Sequence, residues 1–245
     1  MIPKIIHYCW FGRGKKPKLA MQCIESWKKF CPDYQIKEWN EDNFNLDMYP
    51  YTREAYDNSK FAFVTDVVRL YALYNEGGIY MDTDVEVIKS LDPFLNHIGF
   101  SGYESKTDVP TGIMACEKGG RWAKENLDHY SNLHFVKSDG TLDITVNVKT
   151  ITTYMKKFGL KRDNTYQDFP GLFTIYPKTF FCPLNYDGSD PCFSNKTVTI
   201  HHFLGSWLPW QDVLYKNHPV LYWCYWTFSR PLHWIKMMVR KHKKE

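Results

Sequence analysis

Asn75-Glu76-Gly77-Gly78-Ile79-Tyr80-Met81-Asp82-Thr83-Asp84-Val85-Glu86-Val87 organises the chain, because a helix end, a strand and a pair of hard oxygen ligands meet in it. Phe61 to Tyr74 carries apolar residues at helical spacing, and Gly77-Gly78 supplies the left-handed residue on which helices commonly end, so a helix stops at Glu76. Ile79 to Val87 is β-branched and aromatic with carboxylates interleaved, and reads as one strand whose far end leaves the core. Residues two apart in an extended chain face the same side, so Asp82 and Asp84 are expected to project together. Adjacent carboxylates repel unless a cation sits between them, and hard oxygen ligands with open positions suit Mg2+ or Mn2+ that still holds substrate phosphates. An isolated Asp-x-Asp is more often a solvated pair; here the neighbouring segments change the balance.

Working outward, 245 residues with 44% hydrophobic and 17% aromatic content indicate a globular chain with a sizeable core and no low-complexity linker. The formal charge of +4 is concentrated at one end. Six of the 31 basic residues (Arg230, Lys236, Arg240, Lys241, Lys243, Lys244) and one of the 27 acidic ones fall between Ser229 and Glu245, which leaves 25 against 26 elsewhere. A near-neutral body gives no support to nucleic-acid binding. The seven cysteines show no paired metal spacing. Met1-Ile2-Pro3-Lys4 opens directly into a strand with no signal peptide, so free thiols and a cytoplasmic setting are expected, with Cys182 and Cys192 as the one conceivable pair.

Ile2 to Trp10 reads as a strand buried on both faces, Pro17 to Phe30 as an amphipathic helix, and Tyr34 to Trp39 as a second strand. Strands are expected at Ile98 to Tyr103 and Thr111 to Cys116, with helices from Arg121 to about Phe135 and from Asp143 to Phe158. This alternation predicts an α/β fold, a Rossmann-like, mostly parallel sheet flanked by helices with ligands at the carboxyl ends of strands. One domain over 1–215 with an aromatic and basic extension at 216–245 is the expected organisation. His7, mid-strand among apolar residues, reads as a satisfied core histidine.

Asp66 and Arg69 lie three apart on the helix that runs into the Asp-x-Asp segment. Thr65-Asp66-Val67-Val68-Arg69 followed by Gly77-Gly78-Ile79-Tyr80-Met81-Asp82-Thr83-Asp84 closely resembles the sugar-nucleotide signature of glycosyltransferase family 32, which includes capsular and lipooligosaccharide sugar transferases and shares its core with glucosylating clostridial toxins. Pro3-Lys4-Ile5-Ile6-His7 with Trp10 after it is similar to the opening of family members. The resemblance implies a GT-A-type fold and a metal-dependent, retaining hexosyltransferase using a nucleoside-diphosphate sugar, with UDP favoured. The acceptor would be a glycan or lipid-linked oligosaccharide in surface polysaccharide synthesis. It implies that Trp10 stacks on the base, a contact worth about 1–3 kcal/mol; the alternative for Trp10 is core packing. Asp66 and Arg69 would hold sugar hydroxyls, Tyr80 would line the sugar pocket, and Asp84 would bind the cation directly with Asp82 bound directly or through water.

Thr197 to Trp207 is a β-branched run that delivers His201 and His202 and breaks at Gly205. Neutral imidazole is a suitable third ligand beside two carboxylates. By its spacing to the glycine the resemblance assigns that role to His202, with Ser206 and Trp207 completing the diphosphate cradle and His201 packed on the opposite face. The basic, Trp-rich tail is either a peripheral contact with an anionic membrane or a solubilising segment. Two other readings stay open: a sugar nucleotidyltransferase using Gly12-Arg13-Gly14-Lys15-Lys16 as a phosphate loop, or a carbohydrate-binding protein without catalysis.

Overall fold

The computed structural model describes residues 1–187 and 189–205, and within it Met1–Phe203 forms one compact unit. Nine strands are defined there: β1 (Ile5–Cys9), β2 (Gln35–Trp39), β3 (Gly78–Met81), β4 (Val85–Val87), β5 (Gly99–Gly102), β6 (Ile113–Cys116), β7 (Gln167–Phe169), β8 (Phe173–Tyr176) and β9 (Thr199–His201). The helices are α1 (Lys18–Phe30), α2 (Pro50–Asp57), α3 (Phe61–Glu76), α4 (Arg121–Asp128), α5 (Asn147–Lys156) and the single turn α6 (Lys178–Phe181). Seven strands form one sheet in the order β2-β1-β3-β6-β5-β8-β7, while β4 and β9 pair separately. The pairings make β1, β2, β3, β5 and β8 run one way, with β6 and β7 against them. The mostly parallel α/β sheet read from the sequence is therefore present.

Apolar side chains fill both faces of the sheet. Val64, Val67, Val68 and Leu73 of α3 pack on one side with Trp122 and Phe173, whose rings stack 4.1 Å apart. Ile6, Ile79 and Ala115 face the other side with Trp27 of α1 and Phe100. Gly77 ends α3 at φ +69°, and Gly78 follows at φ +105° with the Ile5 carbonyl pressed against its missing Cβ. This is why two glycines are needed where the helix turns into β3. His7 is fully buried; its Nδ1 accepts from the Trp39 indole at 3.1 Å, so its Nε2–H donates to the Gly77 carbonyl at 2.7 Å. It is the satisfied core histidine expected.

Three differences have local causes. The strand expected over Ile79 to Val87 breaks after Met81: Val85 N–H bonds the Asp82 carbonyl at 3.0 Å, closing a turn, and the chain leaves the large sheet to pair with β9. The helix expected to reach Phe135 stops at Asp128, where Tyr130 and Ser131 make the tighter bonds to Leu127 and Asp128 that end a helix. The next helix begins at Asn147 rather than Asp143, because the Asp143 carboxylate accepts from the Thr145 N–H and β-branched Val146 stays extended. Cys182 and Cys192 are both free thiols. No helix among the described residues is long and apolar enough to cross a membrane, and the basic tail lies outside them.

A Cβ at position 78 would sit 2.7 Å from the Ile5 carbonyl oxygen, whereas nothing lies within 4 Å of one at Gly14. Gly78→Ala is expected to cost about 2–4 kcal/mol in urea unfolding, and Gly14→Ala less than about 0.5 kcal/mol. Equal midpoints for the two variants would remove the strain argument.

Candidate active site

The site forms along one edge of the large sheet. β1 ends there before Trp10, β3 before Asp82 and β5 before Glu104, and β6, running the other way, starts there after Gly112. The break after β3 makes the acidic pair converge. Asp82 N–H bonds the Gly112 carbonyl at 2.8 Å, and the turn through Thr83 swings Asp84 back toward Asp82. Strand alternation, the basis of the sequence expectation, is not what brings them together. α1 fixes the far side of this turn, since its Trp27 indole donates to the Val85 carbonyl at 2.7 Å and its Ser26 hydroxyl accepts from Val87 N–H at 2.9 Å.

β9 runs antiparallel to β4 with His201 opposite Val85, which carries the His201 ring to the two aspartates. Ligand atoms of Asp82, Asp84 and His201 lie within 4.8 Å of one another, and His201 Nε2 is 3.4 Å from Asp84 Oδ1. His202 N–H caps the Asp84 carbonyl at 3.0 Å, but its ring turns outward to Glu86 at 2.9 Å. The imidazole brought to the two aspartates is thus that of His201, whereas the ring of His202, to which the spacing assigned the place, is turned to Glu86. Alternation did separate the two histidines; which face is inward depends on strand register, and the glycine spacing does not carry it.

Gly112 leaves room between these groups: a Cβ there would lie 3.1 Å from both Asp82 Oδ2 and His201 Cε1. Two carboxylates, an imidazole and an open space between them are a donor set that fits Mn2+ or Mg2+. Burial works against a charge on His201, yet Asp84 overrides it and holds the ring's pKa well above the ordinary histidine value.

Asp66 and Arg69 are both buried, each 7% exposed, so they are not the surface ion pair that three-residue spacing also allows. The guanidinium lies 3.2 Å from Asp66 and 3.5 Å from Asp82, covers the Tyr80 ring at 4.8 Å, and bonds Thr65 through its carbonyl and hydroxyl. Tyr80 is 2% exposed and donates to Asp82 Oδ1 at 2.9 Å, so it supports the aspartate instead of lining an open sugar pocket. Burial pushes Asp66 up to about 7; Arg69 opposes the rise and Asp82 adds to it.

Glu104 escaped the sequence reading. Its carboxylate approaches His201 Nδ1 at 3.8 Å, and burial, then Asp82, raises its pKa. Lys178, itself buried, pins this corner by donating to the carbonyls of Glu104, Cys182 and Leu184. The position of Glu104, two residues past the carboxyl end of β5, was the available signal. Five buried side-chain polar atoms lack a hydrogen-bond partner among the described residues, and three of them, Thr111 Oγ1, Asn147 Nδ2 and His201 Nδ1, belong to this neighbourhood. Unpaired buried groups gathered in one place are what a ligand-binding site leaves when only protein atoms are counted.

Trp10 is half-buried at the same edge, its indole donating to the Gly14 carbonyl at 2.6 Å. The basic loop after it is neutralised: Arg13 grips Asp42 through two bonds of 2.8 and 2.5 Å, and Lys16 pairs with Glu38 at 2.8 Å. Ser206 and Trp207 lie outside the described residues.

Residues 17–101 match the family model described as glycosyltransferase sugar-binding region containing DXD motif. Inositol phosphoceramide mannosyltransferase 3 of Schizosaccharomyces pombe is 31% identical over 142 residues, covering 55% of this chain and 40% of that protein. Mannosyl phosphorylinositol ceramide synthase SUR1 of Saccharomyces cerevisiae is 25% identical over 202 residues, 74% of this chain and 50% of that protein. The chain therefore spans half or less of the length of these two curated relatives. Among solved structures, a glycosyltransferase involved in the glycosylation of the major capsid of PBCV-1 aligns over 81% of this chain and 93% of that chain, at 14% identity and a TM-score of 0.46. The matched residues 17–101 include the Asp66 to Asp84 signature on which the resemblance rested.

The raised Asp66 pKa has a consequence for stability. Between the ordinary carboxylate value of 3.8 and about 7 the folded protein holds a proton that the unfolded chain has lost, so this group's contribution falls as pH rises through that window. In chelator, the stability of Asp66→Asn relative to the parent should therefore rise from pH 4 to pH 8. A pH-independent difference in melting temperature would show that Asp66 titrates normally.

Proposed function

We propose that the protein transfers a hexose from a nucleoside-diphosphate sugar to a hydroxyl acceptor, with a divalent cation held by Asp82, Asp84 and His201. The observation that carries this reading is the convergence of those three side chains from two distant segments beside the buried Asp66–Arg69 pair. Mn2+ or Mg2+ bound there would supply charge neutralisation of the departing diphosphate. The chain supplies position. Tyr80 and Arg69 orient Asp82, and Glu104, 3.8 Å from His201 Nδ1, acts on that ring through its charge and not through a hydrogen bond. Asp66 and Arg69 offer an acceptor and donors to sugar hydroxyls, and Asn147 Nδ2, buried without a partner, is a further donor. Trp10 is the platform for the base, and Ser206 and Trp207 keep the diphosphate role that the family resemblance gives them.

The fold order, with the acidic turn after β3, agrees with a GT-A-type enzyme. The names of both relatives concern mannosyl transfer, so a mannose donor joins the UDP-hexoses as the first to test. The acceptor is a glycan or a lipid-borne head group, and surface polysaccharide synthesis is one setting. The same resemblance implies retention of anomeric configuration, which NMR of the first product checks; an inverted linkage removes that element. The nucleotidyltransferase reading loses support because Arg13 and Lys16 of its phosphate loop are already paired with acids.

Calorimetric titration of Mn2+ in the presence of UDP or GDP separates the two histidines. His201→Ala should weaken the metal at least about tenfold, and His202→Ala less than about twofold. Gly112→Ala, which puts a methyl between the ligands, should resemble His201→Ala. Loss of metal on changing His202 alone would return the ligand role to it, and no Mn2+-dependent nucleotide binding in the parent would end the transferase reading.

A further inference from the structure

A cavity of about 240 Å3 opens among the helices, lined by Tyr51 of α2, His129, Tyr130 and Leu133 after α4, and Asp143, Thr145 and Thr150 around the start of α5. We propose that it is the subsite for the acceptor's sugar ring, and that the ring it takes is a neutral hexopyranose. This rests on the transferase reading above for the word acceptor, but the ligand chemistry comes from the cavity itself.

The volume lies below the range of about 300–1,000 Å3 typical of sites for drug-sized ligands, so one six-membered ring is the scale of occupant. The lining combines the two features a pyranose needs, aromatic and aliphatic surface for its C–H face and fixed polar groups for its hydroxyls. Tyr51 and Tyr130 supply rings 5.1 Å apart in edge contact, and Leu133 adds an apolar side chain. Both tyrosines are almost wholly buried, at 1% and 3% exposure, so each meets the cavity only along a narrow edge. A phenol at the wall of a cavity can offer its hydroxyl to an occupant that brings its own oxygens. Among the described residues the Asp143 carboxylate accepts from the Thr145 N–H, and the lining includes Thr145 and Thr150 but no Lys or Arg. That carboxylate accepts from sugar hydroxyls and repels an acidic sugar or a phosphate.

The cavity also adjoins the reaction site. Asp66 lies near enough to both tyrosines for its charge to act on them, and on Tyr130 so does that of Arg69. α5 is shared: the backbone N–H of Asn147, its first residue, acts on Asp66, and Thr150, one turn on, faces the cavity. Asp66 in turn pairs with Arg69 at 3.2 Å, and Arg69 reaches Asp82 at 3.5 Å, so this pair links the cavity to the acidic cluster.

Saturation-transfer NMR on the full chain, without donor, tests this using methyl α-mannoside, methyl β-galactoside, methyl β-glucoside and the anionic methyl β-glucuronide at millimolar concentration. At least one neutral glycoside should receive saturation and the glucuronide much less. Thr150→Trp, which fills the cavity, should abolish the signal. Tyr130→Phe, which removes one hydroxyl with little change of shape, should weaken binding about three- to tenfold, with melting temperatures recorded for both variants. In turnover, Tyr130→Phe should raise the acceptor KM and leave the donor KM within twofold. A parent-like signal from folded Thr150→Trp, no neutral glycoside bound by the parent, or equal binding of the glucuronide would each overturn the assignment. Glycoside binding lost in Thr150→Trp but with no sugar transfer from any nucleotide sugar would uphold the cavity as a sugar site while removing the transferase reading.

Discussion

Excess negative charge at the end of β3 is the constraint that governs this site. Asp66, Asp82, Asp84 and Glu104 face a small region whose buried Lys and Arg, among the described residues, are Arg69 and Lys178. For Asp66 and Glu104, raised pKa values have burial as their first cause and so do not by themselves report the field. His201 separates the two effects: burial pushes an imidazole the other way, yet its pKa is raised well above the ordinary value because Asp84 stands against it. The protein alone meets this imbalance by holding protons. A cation between the same three side chains would displace the imidazole proton, which is the usual competition between protons and metals for one donor set.

The sheet provides a common edge, and the small β4–β9 pair provides convergence. Had β3 continued straight through Asp84, the two carboxylates would project side by side from a rod, with nothing to bring a histidine from residue 201 against them. Leaving the large sheet after Met81 frees Val85 to Val87 to pair with β9, and that pairing delivers His201. α1 makes the departure stable by satisfying the Val85 carbonyl and the Val87 N–H that the large sheet no longer does. Arg69 then joins helix to turn, since its guanidinium reaches Asp66 in α3 and Asp82 in the turn at once.

Much of this was legible in the sequence because it is local. The helix end at Gly77-Gly78, the buried His7 strand and the α/β alternation follow from neighbours a few residues away. The Asp66, Arg69, Asp82 and Asp84 signature is contiguous, so it was read as a unit, and the match over residues 17–101 agrees with it. What was not legible depends on long-range register. Whether His201 or His202 faces inward is decided by pairing with Val85, which no local pattern encodes. Tyr80 looked like a pocket residue because it precedes the motif, but strand alternation turns it into the core, where its hydroxyl finds Asp82. Glu104 sits in a polar loop whose composition resembles any solvated turn, and only the strand end before it marked it out.

Burying so many ionisable groups costs stability that hydrophobic packing elsewhere must offset. The Trp122–Phe173 stack and the apolar layers on both faces of the sheet do so at a distance from the edge where the chemistry is held. Packing cannot remove the local penalty, however, because each carboxylate is needed with its oxygens turned to the same space. Ligand binding can. A cation that bridges the turn after β3 and the end of β9 would bind the folded state and not the unfolded chain, so its affinity adds directly to the stability of the β4–β9 pair. On that reading the β4–β9 pair would be the part whose order depends most on occupancy, and cation binding and the ordering of the site would be two sides of one equilibrium.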